Sequence, residues 1–390
     1  MGAATTIVNA RVFDGTDLTP WTSLRFAAGL ITDCSATSLA RDGDDVVDAR
    51  GGTVVPGLID SHLHLVPGAL AQSLNFGVTT VLDMFSTSEV AATAKHQAAT
   101  RPDVADVRSS GIGATAPGGH PTAMYPPIPT LTSPDQAEQF VTDRIADATD
   151  YLKIIVGVGG LWPSLDAETI AALVAAAYHR GLRVVAHVSS VAGLEQVVAA
   201  GVDVVAHIPA DAELPARLVA RIADAGIAVG PTLATLENTV GGGRTWATVE
   251  RNVRLLDAAG VVLLAGTDAP NPGTEFGVSL HRELELLVGC GLSPTRALAA
   301  ATSEPARIFG LADRGGIAVG KRADLVLVSG DPLSDISATR SIERIWRSGT
   351  AVERRAFVAT AAEAAELAAF DARVAEAVAS VRRRRPRLLP

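Results

Sequence analysis

Residues 151–207 read YLKIIVGVGGLWPSLDAETIAALVAAAYHRGLRVVAHVSSVAGLEQVVAAGVDVVAH, and in them three short apolar runs alternate with two Ala-rich stretches. The runs are rich in Val and Ile and are predicted strands, whereas the longer stretches have the spacing of helices. The predicted strands are Tyr151–Val156, Arg183–His187 and Val202–His207, and the predicted helices are Asp166–Arg180 and Gly193–Ala200. A glycine, Gly181 or Gly201, follows each helix and suits the left-handed residue that closes it. The segment therefore predicts parallel strands joined by helices.

The same alternation continues in both directions, from residue 54 to about residue 311. Eight apolar runs are predicted strands: Val54–Asp60, Val78–Asp83, Val104–Gly113, Tyr151–Val156, Arg183–His187, Val202–His207, Ile227–Gly230 and Val261–Gly266. Further helices are predicted at Leu214–Ala225 and Ser279–Cys290. Eight strand–helix units over this length predict an α/β fold of the (β/α)8 TIM-barrel type, whose site lies at the C-terminal ends of the strands.

The two ends of the chain have a different pattern, with short β-branched runs and turns. Strands are predicted at Thr6–Phe13, Ser23–Phe26, Gly29–Thr32 and Val46–Asp48, in a hairpin at Gly315–Val328, and at Ile342–Ser348. We expect both ends to pair into one small β-sandwich that flanks the barrel. The Ala/Glu-rich residues 359–379 predict a helix packed on the outside. The predicted units are residues 1–53 and 313–358 for the sandwich, 54–312 for the barrel, and 359–390 for the helix and a basic tail.

The charge balance argues against nucleic acid as a partner. The chain carries 33 Lys and Arg against 42 Asp and Glu, a formal net charge of -9, whereas phosphate binding needs a basic face. The one basic run, Arg382–Arg385, is predicted to be a solvated tail. Cys34 and Cys290 lie far apart and outside any CxxC pair, which disfavours a disulfide framework or a thiolate zinc site. Because neither a signal-peptide pattern nor a bilayer-spanning apolar segment is found, we expect a soluble cytoplasmic protein without a membrane partner.

Polar side chains lie at the predicted strand ends, where such a barrel has its site. They are His62 and His64 after strand 1, Lys153 in strand 4, His187 after strand 5, His207 after strand 6 and Asp268 after strand 8. His62 and His64 are two residues apart on an extended chain, so their rings point to the same side and can reach one metal ion. A single histidine at a strand end is more often a hydrogen-bonded core residue, but four of eight histidines at three strand ends favour a metal site. Imidazole with carboxylate suits zinc or a similar divalent ion.

Lys153 has two interpretations. A charged lysine in a barrel mouth is costly without a partner, so it could form an ion pair with Asp268 or extend its amine to solvent. Alternatively, the neutral amine could take up carbon dioxide, because burial readily lowers the pKa of a lysine. The carbamate so formed would be an anionic oxygen ligand that can bridge two metal ions.

The order of these residues resembles the amidohydrolase superfamily, in its members with a two-metal centre. The matching segments are VVPGLIDSHLH (54–64), LKII around Lys153, VVAHV around His187, GVDVVAH ending at His207, AGTDA around Asp268, SPTRALAAATSEPAR (293–307) and GKRADLVLV (320–328). The resemblance covers nearly the whole chain and is nearest to the Xaa-Pro dipeptidase and imidazolonepropionase-like members. Five ligand stations in the right order are far more specific than His-x-His alone.

The resemblance implies a role for each residue. His62, His64 and Asp268 would hold the more buried ion, His187 and His207 the more exposed one, and a carboxylated Lys153 would bridge both together with a hydroxide. Coordination lowers the pKa of that water and so supplies the nucleophile. Asp268 would accept its proton and pass it to the leaving amine, and the exposed ion would polarise the scissile carbonyl. The two divalent ions are expected to be Zn²⁺.

Three loop residues are candidates for contact with the substrate. His120, in the segment TAPGGHPTAMY (115–125), resembles a histidine that in related dipeptidases contacts the carbonyl oxygen or the developing oxyanion, which would be a catalytic role. Tyr125 could orient the substrate or simply pack. Arg244 lies in the predicted loop Leu233–Thr245, a mobile lid with Gly241–Gly243, and could bind a substrate carboxylate, although a solvated arginine is the commoner case.

The predicted function is metal-dependent hydrolysis of a linear amide, such as a dipeptide or an N-acyl amino acid. Hydrolysis of a cyclic amide, lactone or carbamate is a close alternative. A mononuclear deaminase would need a Glu near the strand-5 histidine, yet His187 is followed by Val-Ser-Ser with no HxxE pattern. A non-catalytic binding barrel would be expected to lack at least one of the metal-ligand residues, whereas the sequence has a suitable residue at every expected position. The expected partner is a small-molecule substrate, and the sequence leaves open a homo-oligomer.

Overall fold

Strands and helices alternate through the middle of the chain in the computed structural model, which describes residues 4–125, 127–157, 162–239 and 243–384. The strands in these ranges are β1 Thr5–Val8, β2 Arg11–Val12, β3 Ser23–Ala27, β4 Leu30–Ser35, β5 Asp45–Asp48, β6 Thr53–Pro56, β7 Leu58–Leu63, β8 Val78–Asp83, β9 Asp106–Ser109, β10 Leu152–Val156, β11 Val184–Val188, β12 Val204–Ala206, β13 Ala228–Gly230, β14 Leu325–Val328, β15 Ile342–Arg347 and β16 Thr350–Ala351. The helices are α1 Ala69–Asn75, α2 Ser88–Thr100, α3 Ala137–Ala146, α4 Ala167–His179, α5 Val191–Ala200, α6 Ala216–Asp224, α7 Leu233–Thr239, α8 Arg244–Ala258, α9 Val278–Gly289, α10 Pro294–Ala300, α11 Ser303–Ile308 and α12 Ala361–Arg384. Across the described residues, every helix is too short or too polar to cross a bilayer.

Two parallel sheets form the middle of this mixed α/β fold. Their strand orders are β7–β8–β9 and β10–β11–β12–β13. Isolated parallel bridges extend both sheets and join Ala114 to Ile154, Val229 to Leu263, and Leu63 to Ala269. The eighth predicted strand, Val261–Gly266, is represented in the structure by the bridge at Leu263 rather than by a continuous ladder. Its backbone forms hydrogen bonds with two different segments: Ala265 N donates to Ala300 O (2.8 Å), and Ala265 O accepts from Ser61 N (2.9 Å).

The parallel strands send alternate side chains to two buried layers, as extended chains do. In β10, Leu152, Ile154 and Val156 belong to the large core that the helices cover. Lys153, between them, and Ile155 point to the other side and line a cavity. A second core cluster on that inner side takes a side chain from most of the parallel strands, with Ile59, Leu82, Val185, Val204, Ala228 and Leu264 among its members. The inner layer is therefore where side chains from both sheets meet.

The two chain ends supply two further sheets, with strand orders β4–β3–β1–β5 and β16–β15–β14–β6–β2. One apolar cluster contains side chains of both sheets, including Ile7 and Leu24 from the first and Leu325 and Trp346 from the second. The Phe26 and Trp346 rings meet edge to face at 5.7 Å between centroids. The ends of the chain therefore share a core that is separate from that of the parallel strands.

Three predictions that involve these sheets need correction. The predicted strand Thr6–Phe13 is divided into β1, in the first end sheet, and β2, in the second. The run Val54–Asp60 is divided at Gly57 into β6, which pairs with β14, and β7, which pairs with β8. At Gly57 the backbone passes so close to Thr79 that a Cβ would lie 2.2 Å from the Thr79 hydroxyl oxygen, so only glycine fits there. The predicted hairpin Gly315–Val328 is not formed, since only its last four residues are a strand, β14. Ion pairs of Arg322 with Asp106 and Asp324 fix the preceding residues instead of a ladder.

The predicted lid loop Leu233–Thr245 is largely helical. It contains α7 and the first residues of α8, while Gly241 and Gly242 lie outside the described residues. The buried carboxylate of Glu283 accepts a hydrogen bond from Ala234 N (2.7 Å) and so satisfies a free amide of the first turn of α7. This long-range cap has no signal in the local sequence, which explains why the segment was predicted as a loop.

Candidate metal centre and active-site cavity

One cavity of about 100 Å³ brings together all six predicted metal ligands. They are His62, His64, Lys153, His187, His207 and Asp268, and the predicted substrate residues His120 and Tyr125 also line it. The six residues come from the C-terminal parts of β7 and β11, from the second residue of β10, and from the residues that follow β7, β12 and the Leu263 bridge. Residues more than 200 positions apart thus share one small space because parallel strands end at the same edge.

Two histidine rings meet the Asp268 carboxylate at the floor of the cavity. Asp268 Oδ1 lies 3.2 Å from His62 Nε2 and 3.0 Å from His64 Nε2. Ligand atoms of these three residues all lie within 4.8 Å of one another, so they could hold one metal ion. Gly266 permits this approach, because a Cβ there would lie 2.7 Å from His62 Cβ. The amides of Thr267 and Asp268 then donate to His62 O, at 3.1 and 2.7 Å.

The protonation of the two rings follows from their neighbours. Nδ1 of His64 lies 3.3 Å from the carbonyl oxygen of Phe85, which can only accept, so His64 Nδ1 carries the hydrogen and Nε2 faces Asp268. Burial lowers the pKa of His64, but the Asp268 carboxylate outweighs it and leaves that pKa raised. Burial and the Lys153 charge lower the pKa of His62 well below its ordinary value. Burial raises the pKa of Asp268, yet the adjacent imidazoles outweigh it and hold that pKa well below the usual range. The Asp268 carboxylate is therefore ionised, as a metal ligand must be.

Asp60 holds the segment that carries Asp268. Its carboxylate accepts from Thr267 Oγ (2.7 Å), from Thr267 N (3.1 Å) and from His62 N (3.1 Å). Burial raises the pKa of Asp60 to about 7. Asp60 thus joins the two strand ends that supply His62 and Asp268, and it acts through them because it does not line the cavity.

The other two histidines face each other across the cavity. The ring centroids of His187 and His207 are 4.5 Å apart, and His207 lies 4.8 Å from His62. Nδ1 of His207 is 2.7 Å from the Thr232 hydroxyl, which itself donates to Pro231 O (2.8 Å). The hydroxyl must therefore accept from His207 Nδ1, which leaves Nε2 bare for a metal. Burial lowers the pKa of His207 to about 4, so the ring is neutral.

The amine of Lys153 differs from the other buried polar groups of the cavity, because it has no hydrogen-bond partner in the part of the chain that the structure describes. The Lys153 side chain is 1% exposed. An ion pair with Asp268 is not formed, and burial lowers the pKa of Lys153 to about 7. A buried amine without a partner is costly, so the site is incomplete as protein alone.

His120 and Tyr125 lie on the loop side of the cavity. The His120 ring is 5.7 Å from that of His187, and burial lowers its pKa. The Tyr125 hydroxyl donates to Phe85 O (3.1 Å), the same carbonyl that fixes His64. Tyr125 therefore has a packing role besides any contact with substrate. Arg244, by contrast, is exposed at the start of α8 and is not among the residues that line the cavity.

Sequence reasoning missed one wall of the cavity. Phe370 and Val374 of α12 line it together with Phe85 and Met124, so α12 does not lie merely on the outside. A signal was present in the sequence, because the apolar residues Leu367, Phe370 and Val374 recur at helical spacing, and in the structure they are among the less exposed residues of α12. That stripe predicts a buried face, although it does not say which surface the face covers.

An α/β fold with this set of donors at its strand ends is typical of metal-dependent hydrolases. The chain belongs to the amidohydrolase family, whose model matches residues 53–352, and it is a hydrolase of carbon–nitrogen bonds. It is 27% identical over 361 residues to an imidazolonepropionase of Deinococcus radiodurans, covering 81% of this chain and 88% of the relative.

Solved structures agree on the fold. A Xaa-Pro dipeptidase with bound methionine superposes with a TM-score of 0.80 at 23% identity, over 90% of this chain and 100% of the other. A molinate hydrolase gives a TM-score of 0.79 at 22% identity, over 92% of this chain and 98% of the other. Members of the family typically bind divalent metals, which fits the donors of His62, His64 and Asp268.

Proposed function

We propose that this chain hydrolyses an amide bond of a small molecule at a centre of two divalent ions, Zn²⁺, held by the six residues at the strand ends. The observation that carries the proposal is the buried, unpartnered amine of Lys153 among four imidazoles. A pKa near 7 makes the neutral amine available at physiological pH, as carboxylation by carbon dioxide requires. A carboxylated Lys153 would supply the bridging anionic ligand between the two ions.

The architecture that supports this is a closed (β/α)8 barrel with a flanking β-sandwich. Bridges at Ala114, Leu263 and Ala269 link the two parallel sheets to each other and back to β7. The shared inner cluster of side chains supports the same closure. The shared core of the two end sheets supports the sandwich, with residues 1–53 and 313–358 as its parts.

Metal ions bound there would provide a bridging hydroxide near neutral pH and would polarise the scissile carbonyl. The residues of the chain do the rest. Asp268 is ionised beside His62 and His64, so it can accept a proton and pass it to the leaving amine. His120, neutral through burial, faces the cavity from the loop and can donate to the substrate carbonyl oxygen.

A linear amide, such as a dipeptide or an N-acyl amino acid, is the proposed substrate class. A cyclic amide is the second candidate, because the likeness to an imidazolonepropionase extends over 81% of this chain. Lactones and carbamates undergo the same attack of water on a carbonyl carbon. A mononuclear deaminase is less favoured, because one metal ion would give Lys153 no role and Lys153 lines the cavity together with the histidines.

Metal analysis of Lys153→Ala tests the proposal. The wild-type protein, purified with Zn²⁺, is expected to hold two ions per chain, and Lys153→Ala is expected to lose ions together with hydrolysis. Added acetate should partly restore both, because it offers the missing carboxylate. Lys95→Ala, which removes a lysine that pairs with Asp150, is the matched control and should keep both ions. One ion retained with activity would favour the deaminase, and none in the wild type would favour a binding protein.

A further inference from the structure

We propose that α12 is the roof of the substrate pocket, and that Phe370 and Val374 select substrates with an uncharged, apolar substituent next to the scissile bond. The inference rests on the proposed hydrolase function and narrows its substrate class. It concerns residues that lie beyond the segment that matches the family, residues 53–352.

The cavity has two chemically different sides. The imidazoles, Lys153 and Asp268 form a polar floor at the strand ends. The apolar part of the lining is formed by Phe85, Pro121, Met124, Pro270, Phe370 and Val374, of which Phe370 and Val374 come from α12. A scissile amide placed over the floor therefore has at least one of its substituents against this apolar wall. Burial of apolar surface there is favourable, at about fourfold in affinity for each methylene group.

The segment that leads into α12 is anchored before the helix begins. Arg354 Nε donates to Asn75 O (2.8 Å), and Arg355 N donates to Asn75 Oδ1 (3.1 Å). The Phe357 ring then packs against Gly68, where a Cβ would lie 2.5 Å from the ring. These contacts fix the path of the chain along α1 and so determine where α12 starts.

The helix itself is capped and docked. The Thr360 hydroxyl and the Glu363 carboxylate bond reciprocally to the first turn, with Thr360 N donating to Glu363 Oε2 (2.8 Å) and Glu363 N to Thr360 Oγ (3.3 Å). In the middle of α12, Arg373 Nε donates to Met124 O (2.9 Å), which ties the helix to the loop that carries His120. Phe370 and Val374, on the face toward the barrel, are thereby held over the cavity.

The charges of the lining decide what the roof accepts. Among the described residues that line the cavity, the cationic candidates are Lys153 and the imidazoles of the floor. The α12 arginine at the mouth, Arg373, is exposed and engaged with Met124 O. Its guanidinium carbon lies 6.0 Å from the Phe370 ring centroid, so a substrate carboxylate beneath α12 would lose its hydration and could gain only this solvent-exposed counter-charge, which is unfavourable. An apolar group in the same place meets only hydrocarbon.

Four N-acyl amino acids test the selectivity with the full-length, Zn²⁺-loaded protein. Acetyl-glycine is the reference, hexanoyl-glycine and acetyl-leucine add an apolar group on either side of the amide, and adipoyl-glycine carries a carboxylate at the end of the long acyl chain. We expect kcat/KM for hexanoyl-glycine or acetyl-leucine to exceed that of acetyl-glycine by about tenfold or more. Adipoyl-glycine should be the poorer long-chain substrate.

Phe370→Ala and Val374→Ala should lower that apolar preference by about fivefold to tenfold, and Phe370→Leu should retain most of it. Leu367→Ala is the matched control, since Leu367 lies on the same stripe of α12 but is not among the residues that line the cavity. It should leave the preference unchanged. An apolar preference that is absent in the wild type, or that is the same in Phe370→Ala, overturns the inference.

Saturation-transfer NMR with hexanamide and with the monoamide of adipic acid needs no turnover. Contact with hexanamide that weakens in Phe370→Ala would support the roof, whether or not the four amino acid derivatives are hydrolysed. Failure to hydrolyse any of the four would reject only the proposed linear-amide hydrolase. Equal contact of both probes, or contact with hexanamide that is unchanged in Phe370→Ala, would reject the roof while leaving the hydrolase intact.

Discussion

Two buried clusters of ionisable side chains lie at opposite ends of the parallel strands, and they differ in whether their charges are paired. Asp106, at the start of β9, bonds to both Arg314 and Arg322, and Arg322 also pairs with Asp324. At the other strand ends, Lys153 has no hydrogen-bond partner in the described part of the chain. The carboxylates and guanidiniums of the first cluster are paired with one another, whereas the Lys153 amine of the second is not paired with any described residue. Burial alone therefore does not mark a functional site, and what distinguishes Lys153 is burial without a partner inside a cavity that four imidazoles also line.

The paired cluster joins the barrel region to the C-terminal segment. Burial raises the pKa of Asp106, but the guanidiniums of Arg314 and Arg322 outweigh it and hold that pKa well below the usual range. The Arg314 side chain is 4% exposed, and its guanidinium pairs with both Asp106 and Asp313. The unpaired cluster shows the reverse, because burial there lowers the pKa of Lys153 and of His207. Substitutions in the two clusters should therefore affect different properties.

The largest effect is expected for Asp268→Asn in the unpaired cluster. An amide cannot accept and return the proton, so kcat/KM should fall about 10³-fold, or about 4 kcal/mol. Unfolding temperature should change little. The measurement is steady-state hydrolysis together with metal content, and Asp257→Asn, which alters a carboxylate paired with Arg296 outside the cavity, is the control. Near-normal hydrolysis by Asp268→Asn would remove Asp268 from the proposed proton transfer.

Next is Asp106→Asn in the paired cluster, which should cost about 3 kcal/mol of unfolding free energy, because it removes the carboxylate that two largely buried guanidiniums share and leaves Arg314 with Asp313 and Arg322 with Asp324. Denaturant unfolding at pH 7 measures it. Asp103→Asn, in an exposed pair with Arg101, should cost less than about 1 kcal/mol. The pKa of Asp106 is depressed on folding, so its stabilisation is present above about pH 4 and is lost as pH falls below that. The difference between wild type and variant should shrink in acid, and a difference that grows there would contradict the pairing.

The smallest effect is expected for Thr232→Val, which removes the acceptor that fixes the His207 ring. Loss of such a support typically weakens metal binding by about 10–100-fold. Competition with a Zn²⁺ chelator measures the affinity. Thr239→Val removes a hydroxyl that only bonds back to Thr235 O within α7, and it should bind Zn²⁺ as the wild type does. Should both variants bind equally well, the tautomer of His207 is not set by Thr232.

The residues that line the polar part of the cavity could be predicted from sequence because a local pattern places each of them. His62 and His64 follow a strand at a spacing of two, and Lys153 and His187 lie within apolar runs that the structure confirms as β10 and β11. Because parallel strands end at the same edge of a sheet, residues from different strands lie close together there, and these residues line one cavity in the structure. No long-range information is needed beyond the order of strands and helices.

The remaining features depend on contacts between distant segments. Glu283 caps α7 from 49 residues away and turns a predicted loop into a helix. Gly57 divides one apolar run between two sheets because Thr79 leaves no room for a side chain. The docking of α12 depends on Asn75 and Met124, which no periodicity in α12 reveals. Local patterns specify which face of an element is buried, and tertiary packing specifies against what.

The position of the roof in the sequence has a consequence for biosynthesis. All six ligands precede residue 361, so a ribosome completes them before it makes α12. Any metal ions and carbon dioxide that the proposed centre takes up could thus reach these residues before α12 covers the cavity. Phe370 and Val374 are then the last side chains of the cavity lining to be synthesised, so the cavity is closed on the α12 side only after its polar residues are in place.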